Sequence, residues 1–473
     1  MRFFVPLLVV VAALNLCGCS GEEATPQGLG RIEFPNSGAA ESQADFLEGV
    51  LLLHSFEYED AREAFQRARK IDPGFALAAW GEALTHYHPV WNREEPEQGR
   101  DALTDAPDAS TDREAAYLAA ARVLFGDGER EQRWADYASV MEEVAERYPE
   151  DLEARTFWAV SLFGTTGGER DFRTYMRVGS IVEEVFMTNR EHPGALHYLI
   201  HAYDDPVHAA LGLRAARRYA AVAPSAAHAL HMPSHVFFAL GMWHESIASN
   251  IDSFQAAEDR VARKGLGAES RGYHALWWLE YALLQQGRFA EAREKLDIAA
   301  ADASANNSAR IRLHYSTMRS HYLIETEDWN AELPRVAVED LEDRARGTAI
   351  FTDGLAALRS GDLAGAKAAL EAIPAVESGP RIDALELEGL ILIEEGQAEQ
   401  GLEKLALAAA LEDRTPLDFG PPDPIKPAHE LLGEVLLTMG FPERAAEQFR
   451  AALERAPGRR LSLDGLKRAS AER

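Results

Sequence analysis

The segment Ala195-Leu196-His197-Tyr198-Leu199-Ile200-His201 returns 34 residues later as Ala229-Leu230-His231-Met232-Pro233-Ser234-His235, with Tyr203 and Phe237 following at matching places. A step of that length is one helical hairpin, a unit that buries its apolar face only by stacking on the next. The echo therefore predicts an all-α solenoid. It also copies a histidine pair at i and i+4, one helical turn apart, so two neighbouring helices would present four imidazoles to a common space.

The repeat can be followed away from the histidines. Near the C-terminus the chain places Gly433, Gly440, Ala445, Phe449, Ala452 and Pro457 at the spacing of one hairpin, and earlier units read Gly389, Gly396, Leu405, Ala408 and Gly354, Gly361, Ala366, Leu370. Others read Gly287, Ala292, Leu296, Ala299 and, first in the chain, Gly49, Ala61, Phe65, Ala68, Pro73. Small residues let the two helices approach, the aromatic fills the space between hairpins, and the proline ends the second helix. This pattern resembles the tetratricopeptide consensus. The resemblance implies a right-handed superhelix of helix hairpins, with the first helix of each lining a concave groove suited to an extended peptide or a neighbouring protein. Only the stretch from Asp101 to Arg190 fits poorly, and longer helices or irregular linkers are expected there.

Composition agrees. Alanine, leucine, glutamate and arginine dominate, apolar residues fall at helical spacing as in Phe289, Ala292 and Leu296, and no strand is expected. A solenoid of 473 residues needs no single compact core, because each repeat contacts its neighbours. The periodicity breaks between Glu325 and Asp343, around Pro334, which divides the repeats into 45–335, carrying the histidines, and 336–473. Leu53 to Tyr58, Trp80-Gly81-Glu82-Ala83, the two histidine segments and Gly420-Pro421-Pro422 with Lys426-Pro427 together resemble a histidine-rich group of bacterial tetratricopeptide proteins with no assigned activity.

The first residues address location. Arg2 is a short basic start, Phe3 to Leu14 an apolar run too short to span a bilayer as a folded helix, and Leu16-Cys17-Gly18-Cys19 resembles a bacterial lipobox. Residues 1–18 then form a lipoprotein signal peptide, Cys19 is the lipidated first residue, and 19–44, rich in glycine and proline, are expected as a flexible tether. Ser20 stands where an aspartate often retains such proteins at the inner membrane, so the expected place is the outer membrane, facing the periplasm. With Cys17 removed and Cys19 acylated, no thiol remains for a disulfide, a nucleophile or a metal. The formal charge of −29 makes nucleic acid a poor partner.

Of 15 histidines, eight lie between His192 and His244. His197, His201, His231 and His235 are the candidate metal ligands, with His54, His86, His88 and His228 as possible additions. Neutral imidazole suits one divalent transition metal such as zinc, copper or iron. Two functions follow: a protein- or peptide-binding scaffold acting through its groove, or a metal-dependent enzyme or metal-binding protein. In the enzyme, Glu82 or Glu280 would serve as general base on a metal-bound water. Pro233 is expected to kink its helix and disturb the alignment of His231 with His235.

Lipidation at Cys19 makes a direct prediction. Replacing Cys19 by Ser should move the protein from the membrane to the soluble periplasmic fraction with its helical circular dichroism unchanged. A variant that stays membrane-bound, or is recovered only unfolded, removes the lipoprotein reading.

Overall fold

The computed structural model describes residues 27–375, 379–417 and 419–471. The expected signal peptide, Cys19 and the tether up to residue 26 lie outside them. Among the described residues no helix is long and apolar enough to cross a membrane.

The chain is an all-α solenoid of antiparallel helix pairs. The first pair is Gln43–His54 with Tyr58–Ile71, and the second Ala76–Leu84 with Pro96–Thr104. Glycine explains how they stack. A Cβ on Gly49 would lie 2.7 Å, and one on Gly81 2.3 Å, from the ring of Phe65, so the aromatic of one second helix is clamped between two first helices. The last hairpin repeats the device, with Gly433 and Gly465 closing on Phe449. Phe65 and Phe449 are both fully buried.

The stretch from Asp101 to Arg190 keeps the hairpin plan, as Asp112–Leu124 with Arg130–Arg147 and Leu152–Gly164 with Phe172–Thr188, and its second helices are the longer ones expected, at 18 and 17 residues. Large aromatics such as Trp134, Tyr117 and Phe157 are buried in these hairpins. The sequence also gave no sign of the small antiparallel ribbon Tyr87–His88 with Arg93–Glu94, which replaces a tight turn in the second hairpin. Buried Tyr87 packs edge-on against Trp134 at 4.9 Å, and Glu94 accepts a hydrogen bond from the Trp134 indole at 2.8 Å.

Part of the expected tether is built into the fold. Leu29, Ile32 and Phe34 are buried in the N-terminal core. The Arg31 amide donates to the Glu191 carbonyl at 3.0 Å, and the Ser225 amide to the Gly28 carbonyl at 2.9 Å. Residues 27–38 are thus a strap across distant repeats, because alternate apolar side chains in an extended segment can fill the seams between helices.

Three apolar cores follow one another, the first ending at Ala239, the second reaching Leu333 and the third running from Ile324 to Ala469. Trp329, in the irregular segment after Ala309–Thr326, packs against both later cores, so the sequence break joins the two parts. The superhelix also closes on itself. Arg260 and Lys264, near the end of Trp243–Lys264, bind Asp60 of the first hairpin at 3.0 and 2.7 Å. The Trp243 indole donates to the Gly458 carbonyl at 3.0 Å, and fully buried Arg459 binds Glu430 at 2.7 Å and the Tyr281 hydroxyl at 2.8 Å.

The glycine clamp can be tested by Gly81→Ala. Its Cβ would overlap Phe65 in a filled core, so stability to urea should fall by about 1–3 kcal/mol. Gly267→Ala, with nothing within 4 Å of the added Cβ, should be neutral or slightly stabilising. Equal losses would contradict the clamp.

Candidate metal centre

His197 and His201 sit on Pro193–Tyr203, whose first turn is capped by the His192 side chain accepting the Ala195 amide at 3.2 Å. Histidines four apart on this helix point to one side. The second pair lies on Ala227–His231 and Pro233–Ala239. Pro233 ends the first piece and starts the second, but Met232 between them keeps right-handed helical angles. The expected misalignment is therefore absent. His231 Nε2 and His235 Nε2 lie 3.1 Å apart.

The four histidines predicted from the repeat do converge, and two others join them. The donor atoms of His197, His201 and His228 lie within 4.8 Å of one another, and so do those of His231, His235 and His274. His228 was foreseen as an addition. His274, on Tyr273–Gln285, was not foreseen, because the 22-residue helix Trp243–Lys264 displaces it from the 34-residue step. Its ring is 4.6 Å from that of His231. Aromatic rings wall the cluster: Phe56 lies 4.3 Å from His197, while Trp278 and Phe419 lie 4.5 and 4.7 Å from His235. The segment carrying Phe419 and Gly420 folds over this side of the groove, with Gly420 against Trp278.

Hydrogen bonding assigns the tautomers. His197 Nδ1 donates to the His54 carbonyl at 2.6 Å, His231 Nδ1 to Asn250 Oδ1 at 2.7 Å, and His235 Nδ1 to Asp204 Oδ2 at 2.8 Å. A proton on each Nδ1 leaves each Nε2 with a lone pair facing inward. The Nε2 atoms of His197, His201 and His228 are buried with no hydrogen-bond partner. Burial, reinforced by neighbouring imidazoles, pushes the pKa of His197, His228, His231 and His274 well down, and that of His235 falls to about 4. All five are held in the neutral, ligating form.

Asp204 anchors the arrangement. Burial opposes its ionisation, but Arg170 and the hydrogen bonds to His201 and His235 outweigh that and hold the carboxyl well below the usual carboxylate range. Arg170 Nη1 is 2.7 Å from Oδ1, and Oδ2 lies 3.3 Å from His201 Nδ1. Beside Asp204 a cavity of about 60 Å3 runs under Pro421 and Pro422 between Phe238 and Tyr281.

Other candidates are placed elsewhere. His54 belongs to a buried triad with Glu153 and His192 in which every ring nitrogen is engaged. His54 Nε2 is 2.7 Å from Glu153, Tyr198 donates to its Nδ1 at 3.0 Å, and His192 Nε2 lies 3.1 Å from the same carboxylate. This triad supports His197 through the His54 carbonyl. His86 pairs with Glu95 at 2.7 Å, and His88 bonds the Thr85 carbonyl at 3.0 Å and packs on Tyr58. Glu82 is bound by Arg69 and Gln66. None of these reaches the central histidines in a shared group of donor atoms among the described residues.

Glu280 likewise belongs to none of these groups of donor atoms among the described residues. It is fully buried, neither oxygen has a hydrogen-bond partner, and burial followed by the charge of Glu325 raises its pKa well above the usual value. A pKa raised on folding makes stability greatest below the unfolded carboxylate range and lowers it as pH rises through the folded value. Glu280→Gln should therefore match the parent near pH 4 and exceed it progressively as pH increases, by about 1.4 kcal/mol for each unit of upward shift. A pH-independent difference in unfolding free energy would show that Glu280 is not held neutral.

No family model and no curated protein matches the chain. Among solved structures, it is similar to the APC/C hetero-tetramer Cut9–Hcn1, at 12% identity over 92% of this chain and 77% of that one, with a TM-score of 0.39. It is also similar to yeast Tom70, at 10% identity over 91% and 95% with a TM-score of 0.35, and to the P58(IPK) TPR domain, at 13% over 91% and 98% with a TM-score of 0.25.

Proposed function

We propose that this chain is an envelope-anchored tetratricopeptide lipoprotein that binds a transition-metal ion through the histidines of its central repeats. One observation carries the reading: the buried Nε2 atoms of His197, His201 and His228 have no partners, and the Nδ1 atoms of His197, His231 and His235 are fixed by acceptors behind them. That is how metal-ligating histidines are oriented, with the outer hydrogen bond setting tautomer and direction. Nitrogen donors without thiolate favour zinc, copper or iron over calcium or magnesium. Anchoring rests on the lipobox sequence at Cys19.

The scaffold reading draws support from the repeat architecture, which commonly presents surfaces to peptides and proteins. In the central repeats the concave side is filled by the histidines and their aromatic walls. An open cleft of about 640 Å3 between Asp60, Arg67 and Lys264 offers mixed charge to a protein partner instead.

The test uses the Cys19→Ser chain without a histidine tag, analysed for metals by mass spectrometry after gel filtration. The expected result is tightly held zinc, copper or iron. His201→Ala and His235→Ala should each lower the amount held, and the double variant should remove most of it, with helical circular dichroism intact. Metal-free protein that takes up none of these ions, with additive stability losses in the variants, would leave the scaffold reading alone.

A further inference from the structure

Resting on the metal-binding reading, and going beyond it in ion number and in the ligand bound, we infer that the centre is dinuclear. One ion is held by His197, His201 and His228, the other by His231, His235 and His274, and a small anion bridges them.

The donors form two groups. A single ion with nitrogens at about 2.0–2.1 Å gathers all of them within about 4.2 Å of one another. Here the rings run in series instead: 5.0 Å from His228 to His197, 4.9 Å to His201, 5.3 Å to His235, 5.0 Å to His231 and 4.6 Å to His274. Each end supplies its own triad, and the triads share no member. Each also has its own need for a cation. In the first, three buried Nε2 atoms lack partners. In the second, the Nε2 atoms of His231 and His235 face one another at 3.1 Å with both Nδ1 atoms already donating, so two lone pairs oppose across that gap. Two nitrogens on one tetrahedral ion lie about 3.3 Å apart. The spacing is that of a chelate edge.

The triads are also tied to each other. Asp204 Oδ2 touches one member of each, at 3.3 Å from His201 Nδ1 and 2.8 Å from His235 Nδ1. A second approach joins His228 and His231, with rings 6.0 Å apart. With three protein ligands, each ion keeps a coordination position open.

Charge then specifies the ligand class. Imidazole ligands bring no negative charge, and Asp204, the carboxylate that touches both triads, is already matched by Arg170. Two divalent ions close together in an aromatic enclosure would lack compensating charge, and a bridging anion supplies it while lowering their repulsion. The close approach of the triads, with the rings of His201 and His235 5.3 Å apart, restricts that anion to a few atoms, such as hydroxide or azide.

The experiment is copper(II) loading of the Cys19→Ser chain, with copper per protein measured after gel filtration, electron paramagnetic resonance of the loaded protein, and azide as the anion probe. Two equivalents are expected, with a resonance signal well below that of two isolated ions because the bridge couples their spins, and a new absorption band on adding azide. His228→Gln and His274→Gln alter the two partly exposed members, one in each triad. Each should retain one equivalent, regain the full signal of a single copper and lose most of the azide band, with helical circular dichroism intact. One equivalent in the parent, or stoichiometry unchanged in both variants, overturns the dinuclear centre and leaves metal binding standing. No tightly held copper, zinc or iron overturns both.

Discussion

Asp204 is a carboxylate with no exposed surface, and the orientation of the histidines depends on how its charge is met. Burying an unpaired ion costs several kcal/mol, so Arg170 is part of the same unit, with its guanidinium lying 4.4 Å from the centre of the Tyr175 ring. Asp204 is the C-cap of Pro193–Tyr203, so its place follows from where that helix stops. From there one oxygen faces the guanidinium and the other fixes the proton of His235 on Nδ1. The ligand geometry is therefore a product of helix length, capping and one compensated charge.

Two buried sets of similar composition differ chemically for the same reason. In the His54, Glu153 and His192 triad both nitrogens of His54 are taken, by Tyr198 and Glu153, and His192 Nε2 faces the same carboxylate, so these nitrogens are engaged in holding helices together. The central histidines have acceptors only behind them. Residue type and burial are alike in the two places, and hydrogen-bond direction separates support from a site able to take a cation.

The hairpin step was readable because copied segments preserve spacing, and the pairs His197/His201 and His231/His235 were readable because they sit on copied helices. Curvature was not. It arises from the small rotation between successive hairpins, summed over the chain, and no local residue encodes the sum. For that reason the sequence could not exclude Glu82, His86 and His88 from the centre or include His274, which the long Trp243–Lys264 helix carries out of register. Residues 27–38 misled differently. Their glycines and Pro35 suggest a tether, but Leu29, Ile32 and Phe34 only become anchors once there are helix seams to receive them. Pro233 was overestimated, because a proline at the first position of a new helical segment has no hydrogen bond to lose.

Closure of the superhelix changes how the chain must fold. In an open solenoid each repeat is stabilised by its neighbours, so structure can begin anywhere and spread, and stability grows unit by unit. Here Gly241 meets Gly458 with their backbones in contact, and Arg260 reaches back to Asp60. Such long-range contacts form only after the intervening hairpins exist, and they carry the loop-closure entropy that short-range stacking avoids. A molecule assembled from local units thereby acquires a late, shared step, and repeats far apart in the chain depend on one another instead of fraying one at a time.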